Sequence, residues 1–233
     1  MKRFVISGFL IFSVLFIHSQ DLSRVTNHTD ENSLRQGAWQ RVDDNGKLVY
    51  EGQFKDDQPY GEFRYFFPNG RLKASMVYED DGLTAQIVFF HLNGHKRSEG
   101  NYLDQKKEGL WKFYNDAGVL VSEENYKNDL KHGISRNFYT NGNLLEEQHF
   151  VEGLLHGVSK QFYSDGSLKH EINYQNNLPE GPARYYLANG QVFTAGAYTE
   201  GLRHGEWKIF NSDGTIGSVE EWEMGVLVSP QNE

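Results

Sequence analysis

Three histidines and five glutamates recur at fixed spacing, and they are the residues here whose types could do chemistry. His132, His156 and His204 share one phase of a 24-residue period, and Glu51, Glu99, Glu123, Glu147 and Glu171 share another. A row of imidazoles could ligate a metal, and a row of carboxylates could supply acid–base pairs. If each period is a strand hairpin, equivalent residues lie two strands apart, about 9–10 Å. Zinc holds its imidazole nitrogens at about 2.0–2.1 Å, so such a row cannot chelate without further ligands. No His-Glu-x-x-His motif or clustered carboxylate supplies them. The histidines are therefore read as junction residues that hydrogen-bond loop backbone. The glutamates are read as a solvated face, and if they act it is by meeting a basic partner surface. There is no Gly-rich phosphate loop ending in Lys-Ser/Thr and no Gly-x-Ser-x-Gly elbow. Catalysis needs one differentiated constellation, whereas this chain offers near-equal copies. A non-enzymatic protein is expected, with no catalytic residue, no metal and no cofactor.

Composition narrows the classes further. The 233 residues hold no Cys, so disulfides, thiolate zinc sites, Cys nucleophiles and lipobox anchors are excluded. The formal charge of −9 opposes phosphate-backbone binding, so no nucleic-acid partner is expected. Met1-Lys2-Arg3 followed by the apolar run Phe4–Ile17 and polar His18-Ser19-Gln20 reads as a signal peptide cleaved between Ser19 and Gln20. Its loss leaves 21 basic against 32 acidic residues, a net −11 that also opposes anionic membrane surfaces. The protein is expected in the periplasm or outside the cell.

The elements that position these rows follow from one repeat. Gly37, Gly61, Ala85, Gly109, Gly133, Gly157, Gly181 and Gly205 stand 24 apart, and nine residues after each comes a second Gly, such as Gly142 and Gly166. An aromatic residue falls five positions after all but the first start, as at Phe138 and Phe162. Aliphatic residues dominate eleven positions after the start, and aromatics fill the position seventeen after it. Asn or Asp precedes the second Gly in seven of eight units, the pattern of a type I′ hairpin turn. Offsets 5, 11 and 17 share parity, which on regular strands puts them on one face and the glutamates on the other. One hairpin cannot bury an apolar face alone, so the units must stack. The expected fold is all-β: an elongated array of eight 24-residue antiparallel β-hairpins in one twisted, curled sheet. The expected organisation is signal peptide 1–19, linker 20–36, repeats 37–228 and tail 229–233. Unit three, with Ala85 for Gly and Lys96 for an apolar residue, is expected to be locally distorted.

Trp or Phe recurs two residues after the start in Gly37-Ala-Trp39, Gly61-Glu-Phe63, Gly109-Leu-Trp111 and Gly205-Glu-Trp207. His precedes the start in Leu130-Lys-His-Gly133, Leu154-Leu-His-Gly157 and Leu202-Arg-His-Gly205. With the aromatic and Asx-Gly positions, this resembles the MORN repeat, in the variant found in bacterial YwqK-type antitoxins. The resemblance covers all eight units and implies an elongated hairpin array that acts as an interaction module. An unidentified protein is the expected partner, held by one face or the end loops. Tyr139 and Tyr163, off the main stripe by parity, are the expected exposed anchors for it.

Overall fold

A computed structural model describes residues 27–228, which form nineteen β-strands and no helix. Among these residues no helix is long and apolar enough to cross a membrane. The expected leader at Phe4–Ile17, its cleavage site and the tail 229–233 lie outside the described residues. Strands pair antiparallel with their chain neighbours from His28–Thr29 to Val226–Val228, giving one open sheet. All eight units are present as hairpins, for example Lys106–Tyr114 with Leu120–Lys127 and Leu130–Phe138 with Leu144–Val151. Part of the segment assigned to the linker is built in, since His28–Thr29 pairs with Arg35 and Gln36.

The two ends of each hairpin use different turns, and the expected turn type belongs to the other end. At the Asx-Gly end only the Gly is left-handed: Gly46 has φ 74° and Asn45 does not share it. Gly46 N donates to Asp43 O, while Asp43 N donates to Lys47 O. This is a tight turn closed by a left-handed Gly that adds a bulge, the longer alternative to type I′. The residues that link one unit to the next are the type I′ turns. Asp56–Asp57, Asn128–Asp129 and Asn176–Asn177 are left-handed at both positions, with φ between 50° and 73°. Asn and Asp tolerate that conformation because their short side chains bond locally.

The bulge also overturns the parity argument. Phe113 pairs with Ser122 and Tyr114 with Leu120, so one residue of the second strand is extra. The same shift falls after offset four in the other seven units, as between Asn137 and Phe138 and between Gln161 and Phe162. Offsets 5 and 11 therefore turn to the face that carries the glutamates, and Tyr114 Oη donates to Glu99 Oε1 at 2.5 Å. Phe138 and Phe162 are half-buried there. Offsets 2, 4, 13, 15 and 17 make the opposite, aromatic face.

On that face the most buried position is offset two, where Phe63, Trp111 and Trp207 are 2%, 1% and 0% exposed. A sheet with no second layer buries an indole by laying it over its own neighbour. A Cβ on Gly100 would lie 2.3 Å from the Trp111 ring, and Gly52 with Phe63 and Gly196 with Trp207 repeat that distance. The start Gly delivers the ring. Between the pairs Glu99–Lys112 and Asn101–Glu108 the chain Gly109-Leu-Trp111 opposes Gly100 alone, and Gly109 has φ 69°. The indole Nε1–H then donates to Asn101 O at 3.1 Å, as Trp207 does to Ala197 O. Tyr102 meets the Trp111 ring edge-on at 5.1 Å, and Phe113 stacks beside it. Truncating such a ring to Ala costs about 3–5 kcal/mol.

Where no glycine stands at offset fifteen, the next unit's offset two shrinks. Met76 opposes Ile87, Glu124 opposes Ser135, and Ile172 opposes Ala183. Two apolar clusters result, one around Ala74, Ile87 and Trp111 and the other around Ile172, Ala183 and Trp207. Between them Ser135 and Ser159 hold the buried offset-two positions of units five and six.

Unit three departs as expected, and the reason is Ala85. An Ala costs about 1–2 kcal/mol in the left-handed region, so the bulge does not form. Met76, Val77 and Tyr78 pair in unbroken register with Ile87, Gln86 and Ala85. Elsewhere the offset-seventeen residue pairs two positions earlier in the next unit, as Phe54 does with Pro59. The residues thus released lengthen the loop after Tyr78, which is held by Asp81 accepting from Leu83 N and Thr84 N at 2.8 Å.

The turn assignment has a direct test in Asn176, φ 51°. Asn176→Val should lower stability by about 1–2 kcal/mol, whereas Asn176→Gly should be tolerated; denaturant midpoints of the two variants check this.

Candidate functional site

The glutamate row is occupied by its own chain. Arg64, Arg136 and Arg184 come within 2.5, 2.7 and 3.1 Å of Glu51, Glu147 and Glu171, and Lys112 lies 3.6 Å from Glu123. Lys96 contacts Glu99 at 2.8 Å. The Lys96 ammonium and the Tyr114 hydroxyl hold the Glu99 carboxyl below its ordinary range. Partly exposed pairs of this kind contribute about 0–1 kcal/mol each. They leave the row self-neutralised rather than aimed at a basic partner. His132, His156 and His204 are exposed at their junctions. Backbone bonds are made there instead: His156 N donates to His149 O, and His156 O is 2.8 Å from the His149 ring.

Tyr139 and Tyr163 are not the free anchors that parity implied. Both are half-buried, and their hydroxyls donate to Phe162 O at 2.8 Å and Tyr186 O at 2.9 Å, in the next unit. His91 makes the equivalent contact with Tyr114 O at 2.9 Å. The turn edge is laced further by Asn93 to Asp116 O, Asn141 to Ser164 O and Gln191 to Ser212 O. Each is a bond from one hairpin tip to the next.

What the rows left unseen is a cleft where the repeat breaks. It lies on the aromatic face of units two and three, encloses about 440 Å³ and is open to solvent on one side. Tyr65, Met76, Tyr78, Ile87, Phe89 and Tyr102 line it, and Pro59 and Leu83 stand at its loop end. Ile87 fills less of this position than an indole would, and the missing bulge widens the loop above it. A predominantly apolar hollow with a few polar groups is the usual form of a binding site. Its polar groups are phenols, with Lys73, Asp104 and Gln105 at its ends. Burial among Tyr78 and Tyr50 pushes the Tyr65 hydroxyl up to about 12, and burial raises Tyr78 and Tyr102. The signal that marks the cleft in sequence is the coincidence of Ala85 with a non-glycine, Met76, eleven positions before Ile87.

A raised acid is neutral in the fold, so the stability tied to Tyr65 is present below its ordinary 10.0 and is lost as pH rises through about 12. In alkaline titration of phenolate absorbance, the transition that Tyr65→Phe removes should lie near 12 rather than near 10.0.

Known proteins share the repeat. The MORN repeat variant matches residues 35–56, 59–80, 107–128, 131–152 and 155–176, and the MORN repeat matches 173–192. No curated protein matches the chain. Among solved structures, the crystal structure of TarM is 22% identical over 38% of this chain and 17% of that one, with a TM-score of 0.29. A mutant of S. aureus TarM in complex with fondaparinux, alpha-GlcNAc-glycerol and UDP is 20% identical over 41% of this chain and 19% of that one, at 0.31. The chain therefore spans only a small part of either, and at such scores neither bears on fold or function. The five variant matches begin in one phase of the 24-residue period that the hairpins follow, and on that ground the chain is a carrier of MORN repeats.

Proposed function

We propose that this protein is an exported, non-enzymatic scaffold that holds a protein partner on the aromatic face of its hairpin array. The observation that carries the reading is the division of labour along the sheet. Equivalent residues in successive units are committed to one another, the glutamates to cations and the hairpin tips to neighbouring carbonyls. A hollow on the aromatic face that breaks this pattern, at units two and three, is lined by rings. Rings are the side chains that dominate protein interfaces. Export rests on the run Phe4–Ile17 behind Lys2 and Arg3. The likeness of the Leu-x-His-Gly junctions to YwqK-type antitoxins supports a second reading, an immunity protein whose partner is a toxin acting outside the cytoplasm.

Cell fractionation and pull-down test the proposal together. The protein should be found outside the cytoplasm with Gln20 as its first residue, and the purified chain should retain a protein from the exported fraction. Single His132→Ala, His156→Ala and His204→Ala variants should bind as the parent does. An intact Met1 on a cytoplasmic chain would refute export. A folded His variant that had lost a hydrolytic or transfer activity would refute the scaffold.

A further inference from the structure

Four units carry their own cation over the aromatic face, two residues before the start position. Arg35 lies 3.7 Å from the Phe54 ring centroid, Lys131 5.2 Å from Phe150, and Arg203 4.2 Å from Trp207. Lys107 serves three rings, Trp111, Phe113 and Tyr126, at 4.7, 5.2 and 4.6 Å. A cation held against ring faces is attracted by their quadrupoles, and more strongly where water is excluded. In units two, three, six and seven this position is Pro59, Leu83, Leu155 and Pro179, and at units two and three the rings lie open in the cleft.

We infer that the cleft receives a lysine or arginine side chain from the protein partner, in the place where Lys107 sits over its own unit. The inference rests on the scaffold reading and names the chemistry of its contact. Charge at the mouth agrees with it. Asp104 lines the cleft, and the loop Glu79-Asp80-Asp81 that the missing bulge lengthens stands at the same end. Of the cations nearby, Lys106 and Lys107 stand at the loop end, with Lys107 turned over the Trp111 and Tyr126 rings of its own unit. Lys73 and Arg97 belong to the opposite end, beside the Asx-Gly turns. Lys73 lines the cleft from that end with its side chain exposed at the bulge of unit two, and Arg97 lies 5.2 Å from the outer ring, Phe89. The carboxylates place the entering cation at the loop end, over Tyr78 and Tyr102. Opposite charge at the rim steers the encounter, and the desolvated ring contact supplies specificity.

The test is titration of the purified protein with an acetylated Gly-Arg-Gly-Arg-Gly peptide and its Gly-Glu-Gly-Glu-Gly counterpart, read from the ring resonances of Tyr78 and Tyr102. The arginine peptide should give saturable shifts at both rings and the glutamate peptide none. Pro59→Lys restores the repeat's own cation beside the cleft. It should weaken the arginine peptide about tenfold, roughly one desolvated cation–ring contact. Leu155→Lys, which adds the same charge at the equivalent position of unit six away from the cleft, should bind as the parent does. Lack of saturation, shifts confined to other residues, or equal affinity in Pro59→Lys would overturn the inference. If the pull-down partner is then retained equally by parent and Pro59→Lys, the cleft assignment fails and the scaffold stands. If neither retains a partner, the scaffold itself fails.

Discussion

A single-layer sheet has no second layer against which to hide its large side chains, and the arrangement here answers that constraint with one contact. An aromatic ring is laid flat on a glycine of the preceding strand. Trp111 on Gly100, Trp207 on Gly196 and Phe63 on Gly52 are the same contact made three times, each at the limit of what the backbone allows. Almost everything else about the unit serves it. The left-handed start Gly creates the bulge that swings the ring across. The indole N–H is fixed to a carbonyl of the strand below it. The tyrosines seventeen positions after the start wall the ring on either side, as Tyr102 and Tyr126 do for Trp111. Stability is thus built between units rather than within them, the condition under which repeats behave as a chain of nearest-neighbour couplings.

The contact is a matter of matched sizes, so it can be relaxed by changing both members. Ile172 takes the glycine's place opposite Ala183, and Glu124 takes it opposite Ser135. That exchange lets the array pass from an apolar cluster through a polar middle to a second apolar cluster without altering its period. At units two and three the exchange is incomplete. Met76 faces Ile87, the bulge is absent because Ala85 disfavours the left-handed geometry, and a hollow remains. The candidate site is in this sense the one place where the packing rule and the backbone rule lapse together.

Much of the fold was legible in the sequence because a strict 24-residue period with Asx-Gly tips admits few architectures besides stacked hairpins. The number of units, their antiparallel order and the distortion at Ala85 all follow from residue identity and spacing. Which face each residue occupies did not follow. Parity counting assumes an unbroken pleat, and a bulge between Phe113 and Tyr114 moves every later residue by one. That single extra residue carries Phe138 and Phe162 to the glutamate side. Tyr139 and Tyr163 were misread for a related reason: counting along one unit says nothing about the carbonyl that the next unit presents. The ring-on-glycine contact was present in the sequence as Gly52–Phe63, Gly100–Trp111 and Gly196–Trp207, each eleven residues apart. It crosses a unit boundary, so reading down the columns of the repeat passes over it.

A double-mutant cycle on Gly196 and Trp207 tests the dependence of the sheet on this contact most directly. Gly196→Ala alone drives a methyl into the indole and should cost about 1–3 kcal/mol. Trp207→Ser alone should cost about 3–5 kcal/mol. With the indole gone the methyl has room, so the double variant should be more stable than the sum of the two losses by about 1 kcal/mol or more, as expected of residues in contact. Losses that add to within about 0.5 kcal/mol would contradict the account, because the glycine and the ring would then act independently.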